Sequence, residues 1–242
     1  MNAAEGTKRS ILRVGWDAVL RLLYPPKCMF CGKLLEGTEQ GACSTCRAEL
    51  PWTTGASARR AGTCFSHCVS PFFLEGRMHT ALLAYKYHQR ESYGVCFGQW
   101  MGACARRYLS GPFDLITWVP VSRKRLRERG FDQCELLAAQ VARAYQQRPV
   151  RTLRKVKHIP ALATTEGGKA VRQQLVSGVY QAVAPQPLTG KRILLVDDII
   201  TTGSTLEEAA RTLLYAGAAE VCCVTVARTP PKERAEQKDA ES

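Results

Sequence analysis

The run Ile193 to Thr205, ILLVDDIITTGST, sets two carboxylates beside a hydroxyl-rich glycine turn, a combination suited to a sugar phosphate. Asp197 and Asp198 follow an apolar stretch, Ile193 to Val196, that has no polar alternation. Such a stretch reads as a central parallel strand covered on both faces, and open α/β sheets bind ligands at the carboxyl ends of those strands. Thr201, Thr202, Gly203, Ser204 and Thr205 come next, and their N–H and O–H groups can wrap a phosphate. The helical pattern from Leu206 to Tyr215 points its positive end at the same anion. Acids beside a phosphate repel it unless they serve another part of the ligand. The 2- and 3-hydroxyls of a ribose supply that part, with a Mg²⁺ shared with a pyrophosphate to screen the charge. A plain strand-to-helix turn capped by Asp and Thr is the alternative, and the order of the whole string favours the phosphate site. A Walker A loop is disfavoured, because the Gly-Lys-Ser/Thr ending is absent.

This string resembles the 5-phosphoribosyl-1-diphosphate (PRPP) motif of type I phosphoribosyltransferases. The resemblance implies that Asp197 and Asp198 hold the ribose hydroxyls and that Thr201 to Thr205 hold the 5-phosphate. Two basic stretches also fall where a parallel sheet presents its loops. In VPVSRKRLRERGFDQ, Ser122, Arg123, Lys124 and Arg125 follow a strand end and are placed to meet a pyrophosphate, Arg123 to Arg125 stabilising it as it departs. For Arg127 and Arg129, which lie beyond Arg125, pairing with Asp132 or Glu135 and a solvated face are the alternatives. Lys86, in AYKYH, is a cation on an otherwise apolar helix, with snorkelling as the alternative to a place in the site. The second stretch, Arg154 to about Val183, carries Lys155, Lys157, His158, Gly167, Gly168, Lys169 and Arg172, and its length and glycines suit a lid, with a disordered linker as the alternative. No general base is identifiable, but a displacement through an oxocarbenium-like transition state can run mainly on positioning and leaving-group stabilisation.

A separate chemistry sits near the amino terminus. Cys28, Cys31, Cys43 and Cys46 form two C-x2-C pairs, which as knuckles can converge on one structural Zn²⁺ with no open coordination position. Gly32 permits the first turn. Cys64 and Cys68 make a looser pair without two further ligands nearby, and an ordinary loop is the preferred reading. Cys96, Cys104, Cys134, Cys222 and Cys223 read as small core residues.

The elements that must carry these groups alternate. Helices are expected over Met78 to Tyr87, Tyr93 to Leu109 and Phe131 to Gln147, and strands over Phe113 to Pro120, Val150 to Leu153, Ile193 to Val196 and Glu220 to Ala227. Alternation of this kind implies an α/β fold, a parallel sheet flanked by helices. The expected organisation is a tail and amphipathic helix over 1–24, a zinc ribbon over 25–70, the main domain over 71–229 and a disordered polar tail over 230–242. Thirty-four basic against twenty-one acidic residues give a net charge of +13, which suits polyanionic partners or a solvated surface. No apolar run approaches the roughly 18 residues of a membrane span. Ile11 to Tyr24 is broken by Arg13, Asp17 and Arg21 and has no cleavage site, so a cytoplasmic location is expected, and eleven cysteines then argue for metal ligands and core thiols over disulfides.

Taken in order, the cysteine knuckles, ALLAYKYH, VPVS, RERGFDQ and LLVDDIITTGSTL resemble the ComF family of competence-associated phosphoribosyltransferase-like proteins, its ComFC-like and GntX-like members above all. The resemblance implies a type I phosphoribosyltransferase-like domain behind a four-cysteine zinc ribbon, PRPP with Mg²⁺ as ligand, and a role in bringing single-stranded DNA into the cytoplasm beside other DNA-uptake proteins. Transfer of ribose 5-phosphate to an unidentified acceptor is the chemistry it would carry. Asp132 stands where the family usually has asparagine, and the lid lacks the family's Arg-x-x-Asn pattern after Arg172. The polar run after the last strand pattern is not expected to form a hood domain. A non-enzymatic zinc-dependent nucleic-acid adaptor and a conventional nucleobase phosphoribosyltransferase are the alternative functions.

Overall fold

The computed structural model describes residues 25–87, 90–156, 178–231 and 234. The chain forms two compact units, one ending at Leu50 and the other beginning at Pro51.

In the first unit Cys28 and Cys31 lie on a tight turn closed by Gly32 N–H to Cys28 O at 2.9 Å and Cys28 N–H to Lys33 O at 2.8 Å. Gly32 has φ of 74°, a left-handed conformation that strains any Cβ, so glycine is what this turn requires. The second cysteine pair opens a short helix, α1 (Ser44–Ala48), whose N-cap Cys43 accepts from Cys46 N–H at 3.5 Å. Met29 N–H to Gly41 O at 2.8 Å ties the two turns together.

The second unit starts with three short strands, β1 (Arg59–Arg60), β2 (Cys68–Val69) and β3 (Phe72–Phe73), and two helices, α2 (Gly76–Tyr87) and α3 (Ser92–Tyr108). Strand β4 (Leu115–Trp118), helices α4 (Arg123–Arg129) and α5 (Gln133–Ala144), and strands β5 (Leu153–Lys155) and β6 (Tyr180–Ala182) follow. Strand β7 (Arg192–Ile200), helix α6 (Ser204–Tyr215) and strand β8 (Glu220–Arg228) complete it.

The main sheet runs β1-β2-β8-β7-β4, with β3 also on β8. Strands β4, β7 and β8 are parallel, Leu115 facing Ile193 and Val196 facing Val224. Side chains alternate between faces along a strand. Ile193, Leu195, Val221 and Cys223 therefore share one core with Leu206, Ala209 and Leu213 of α6. Helix α5 packs on β4 and β7, and α3 packs on α5, β8 and β2. Gly98 makes the α3–α5 approach possible, since a Cβ there would lie 2.4 Å from Gln140 Cβ. The expected α/β architecture is present.

Local differences from the expected elements have identifiable causes. The contacts divide the chain after Leu50, because residues 51–73 hydrogen-bond to the last strand of the second unit, as in Ser66 N–H to Val221 O at 2.9 Å and Cys223 N–H to His67 O at 2.7 Å. Strand β7 continues through both aspartates to Ile200, held by β8. Val150 N–H does reach Ile116 O at 2.8 Å, but Leu153–Lys155 turns away and pairs antiparallel with Tyr180–Ala182. The long segment expected as a loop from Arg154 to about Val183 thus has a two-stranded base. The helix expected over Ile11 to Leu23, all but Arg234 of residues 232–242, and Lys157, His158, Gly167, Gly168, Lys169 and Arg172 of the expected lid lie outside the described residues.

Candidate functional site

Asp197 is 6% exposed near the end of β7. Its Oδ1 accepts the N–H of Asp198 at 2.8 Å and the thiol of Cys134 at 3.3 Å. Burial and the adjacent Asp198 push its pKa up to about 7, against the lowering effect of those hydrogen bonds and of Lys86. Asp198 receives a cation directly, with Lys86 Nζ 2.8 Å from its Oδ2. Burial opposes the charge on Lys86, but Asp198 outweighs it and the ammonium is held more firmly than usual. Lys86 is therefore no snorkelling side chain. Cys134 is no plain core residue either, for its sulfur, Asp197 and Asp198 bring their ligand atoms within 4.8 Å of one another.

The turn after β7 has the shape its composition suggests. Gly203 adopts φ of 88° and is the N-cap of α6, with no side chain of its own to cap the helix, and Ser204 N–H donates to Thr202 Oγ1 at 3.4 Å. Thr202 Oγ1 and Ser204 Oγ are 3.0 Å apart. Arg60, from β1, donates to the carbonyls of Thr201 and Thr202. No motif marked Arg60 in the sequence, because its partners lie 141 and 142 positions away.

The first basic stretch is a helix with a loop-like start. Ser122 is its N-cap, accepting from Arg125 N–H at 3.3 Å. Arg125 lines a cavity of about 260 Å³ with Lys86, Tyr87, Glu128, Arg129 and Phe131. Arg123 and Lys124 are not among its lining residues, and exposed Lys124 lies 3.9 Å from Glu128 instead. The partners of Arg129 are different too: its guanidinium stacks 4.8 Å over the Tyr87 ring and donates to Gln133 Oε1 at 2.8 Å. Asp132 is occupied as the N-cap of α5, accepting from Cys134 N–H at 3.0 Å, Glu135 N–H at 3.3 Å and Val121 N–H at 3.2 Å. Aspartate and asparagine serve equally as N-caps, so Asp132 keeps this turn built. Lys155, its Nζ 5.5 Å over the Tyr180 ring, has its pKa lowered by burial and then by Arg125.

In the first unit, Cys28, Cys31, Cys43 and Cys46 bring their sulfurs within 4.8 Å of one another, three of the four residues buried. Cys31 and Cys43 Sγ are 3.8 Å apart. Tetrahedral thiolates about 2.3 Å from zinc are separated by about that distance, so the quartet fits a closed structural site. Burial works against ionising Cys28, yet N–H groups of Cys43, Cys31 and Phe30 outweigh it and bring its pKa down to about 6. Cys64 and Cys68 join no cluster of three or more metal-ligating groups among the described residues. Cys68 lies in the sheet opposite Cys223.

Comparison with known proteins finds two domain models along the chain. A phosphoribosyl transferase domain model matches residues 132–242 and a double zinc ribbon domain model matches residues 19–76. Competence protein F of Haemophilus influenzae is 34% identical over 110 residues, covering 45% of this chain and 47% of the relative. Competence protein ComFC of Bacillus subtilis is 35% identical over 112 residues, covering 46% and 43%. To both competence proteins this chain is similar over a little under half its length. DNA utilization protein YhgH of Escherichia coli K12 is 32% identical over 118 residues, covering 48% of this chain and 50% of that protein. The chain spans about half the length of the curated relatives it matches. The double-ribbon match joins unlike halves: the Cys28 to Cys46 quartet is a group able to hold a metal ion, whereas Cys64 and Cys68 belong to the sheet-bearing unit. No described helix is long and apolar enough to cross a membrane.

Proposed function

We propose that this chain belongs to the ComF family, binds PRPP with Mg²⁺ and acts on or beside single-stranded DNA during DNA uptake. The observation that carries the ligand assignment is the continuity of β7, in which Asp197 and Asp198 lead directly into the Gly203 turn and the start of α6. Asp197 and Asp198 would accept the ribose hydroxyls, and Thr201 to Thr205 would hold the 5-phosphate. Arg125 and Lys86, on one cavity wall, would receive the pyrophosphate, and Ser122 would set the start of the helix bearing Arg125. Arg123 and Lys124 would serve the approach of the anion from solvent through their charge alone.

Mg²⁺ bound with the diphosphate would neutralise its oxygens. The chain's own contribution is positional: acids fix the sugar, amides fix the phosphate, and cations stabilise charge on the leaving group. Lys86 balances one of the two acids before any ligand arrives, which lessens repulsion between the acid pair and a polyanion. The DNA role is supported by the competence and DNA-utilization names of the relatives and by the net charge of +13. Calorimetry with PRPP and Mg²⁺, repeated on an Asp197→Ala, Asp198→Ala double variant, tests the ligand. Failure of wild type to bind would sink the assignment, as would undiminished binding by the variant.

A further inference from the structure

The two carbonyls that open the phosphate turn are both taken by a side chain from the first strand of the second unit. Arg60 Nη1 donates to Thr201 O, and Arg60 Nη2 donates to Thr202 O at 2.7 Å. In a planar trans peptide the C=O and the following N–H point to opposite sides. Carbonyls drawn toward Arg60 therefore turn the N–H groups of Thr202 and Gly203 away from it, as an anion-binding turn needs.

A second grip lies a few residues on. Thr63 and Cys64 N–H donate to Glu207 Oε1 and Oε2, each at 2.7 Å, and Glu207 lies in the first turn of α6. Gly62 sits where the two segments cross, since a Cβ there would be 2.6 Å from Glu207 Oε1 and 2.5 Å from the Phe65 ring. The segment is anchored in its turn from the end of β8, where Arg228 Nη1 donates to Ser57 O at 2.8 Å and Arg59 O at 2.9 Å. The backbone carrying Arg60 is thus fixed from a third element.

We propose that Arg60 to Cys64 is a clamp on the phosphate turn, with Arg60 the positioning residue that aims the turn's amides at the 5-phosphate. The proposal rests on the phosphate reading of Thr201 to Thr205. It gives the latter half of the ribbon-matched segment a place in sugar-phosphate binding in place of metal binding.

The test is titration of ribose 5-phosphate into the full chain, followed by calorimetry and by the ³¹P resonance of the bound ester. Wild type, Arg60→Ala, Arg60→Lys and Glu207→Gln are compared. Arg60→Ala is expected to weaken binding by about tenfold or more and to move the bound ³¹P resonance, because two hydrogen bonds from a charged donor are lost at the turn. Arg60→Lys, able to reach one carbonyl, should recover part of both effects, and Glu207→Gln should fall between it and wild type. If Arg60→Ala does not fold, Arg60→Gln replaces it and is read the same way. Binding and ³¹P resonance unchanged by loss of the guanidinium would overturn the clamp and leave the phosphate reading standing. No binding by wild type would overturn both.

Discussion

Lys86 Nζ lies 2.8 Å from Asp198 Oδ2, which ties the last turn of α2 to the acid pair of β7. Both side chains are less than one-fifth exposed, at 16% and 18%. Removing the cation leaves Asp198 buried beside Asp197 with two acids and no counter-charge. Lys86→Met is therefore expected to lower stability by roughly 2–4 kcal/mol, with Lys86→Arg retaining most of it. Urea unfolding of the ligand-free chain measures this, and a wild-type midpoint for Lys86→Met would show the pair to be idle.

Asp197 ties stability to pH. Burial and the adjacent Asp198 raise its folded pKa to about 7, against about 3.9 in an unfolded chain. Between these values the folded state keeps a proton that the unfolded state has released, so this group's contribution falls as pH rises from about 4 to about 7. Asp132, whose pKa burial also raises, adds a slope of the same sign. Asp197→Asn should flatten the Asp197 share of the decline and leave the rest. Ligand affinity should move oppositely in wild type, because the carboxylate is the form that accepts ribose hydroxyls. Equal slopes for wild type and Asp197→Asn would contradict the shift.

The Cys28, Cys31, Cys43 and Cys46 cluster predicts which part of the chain depends on zinc. Chelation should release about one zinc per chain and unfold the first unit, whose described residues hold little other than turns and one short helix. Cys43→Ala removes both a ligand and the N-cap of α1 and should mimic chelation. Amide spectra resolve the outcome: loss of signals before Leu50 with those of β4, β7 and β8 retained supports the reading, and an unaltered first unit refutes it.

Gly98 gives a test of packing away from the site. An added Cβ would meet Gln140 Cβ at 2.4 Å and Leu137 O at 3.1 Å, so α3 and α5 would have to separate. Gly98→Ala is expected to cost about 1–3 kcal/mol despite the better helix propensity of alanine. A thermal midpoint equal to or above that of wild type would mean that the helices have room to give.

What could be read from the sequence was chemistry held within one short stretch. Asp197, Asp198 and Thr201 to Thr205 are consecutive with their strand and helix, and the cysteine pairs carry their own spacing. Groups that depend on long-range contact were hidden. Lys86 was visible as a cation, but not its partner on β7, and Arg60 carried no signal for the same reason. Cys134 has the spacing of a core residue in α5, and only packing of that helix on β7 brings its thiol to Asp197. The basic stretch after β4 was legible as charge, whereas the helical phase that separates Arg125 from Lys124 appears only once Ser122 has capped α4.

That helical phase provides the sharpest test of the anion site. Arg125 lines the same cavity as Lys86, while Lys124 is exposed and pairs loosely with Glu128. Composition alone makes the two interchangeable. Geometry does not, since a cation at the cavity meets the diphosphate with little water between, and one on the outer face is screened by solvent and salt. Arg125→Ala is accordingly expected to weaken PRPP binding by about tenfold or more, and Lys124→Ala by less than about twofold at physiological salt. Pyrophosphate, used as a second titrant, should reproduce the ranking, because it carries the charges assigned to this cavity without the ribose assigned to Asp197 and Asp198. Equal losses in the two variants would mean that net charge, and not the placement of Arg125, governs anion binding.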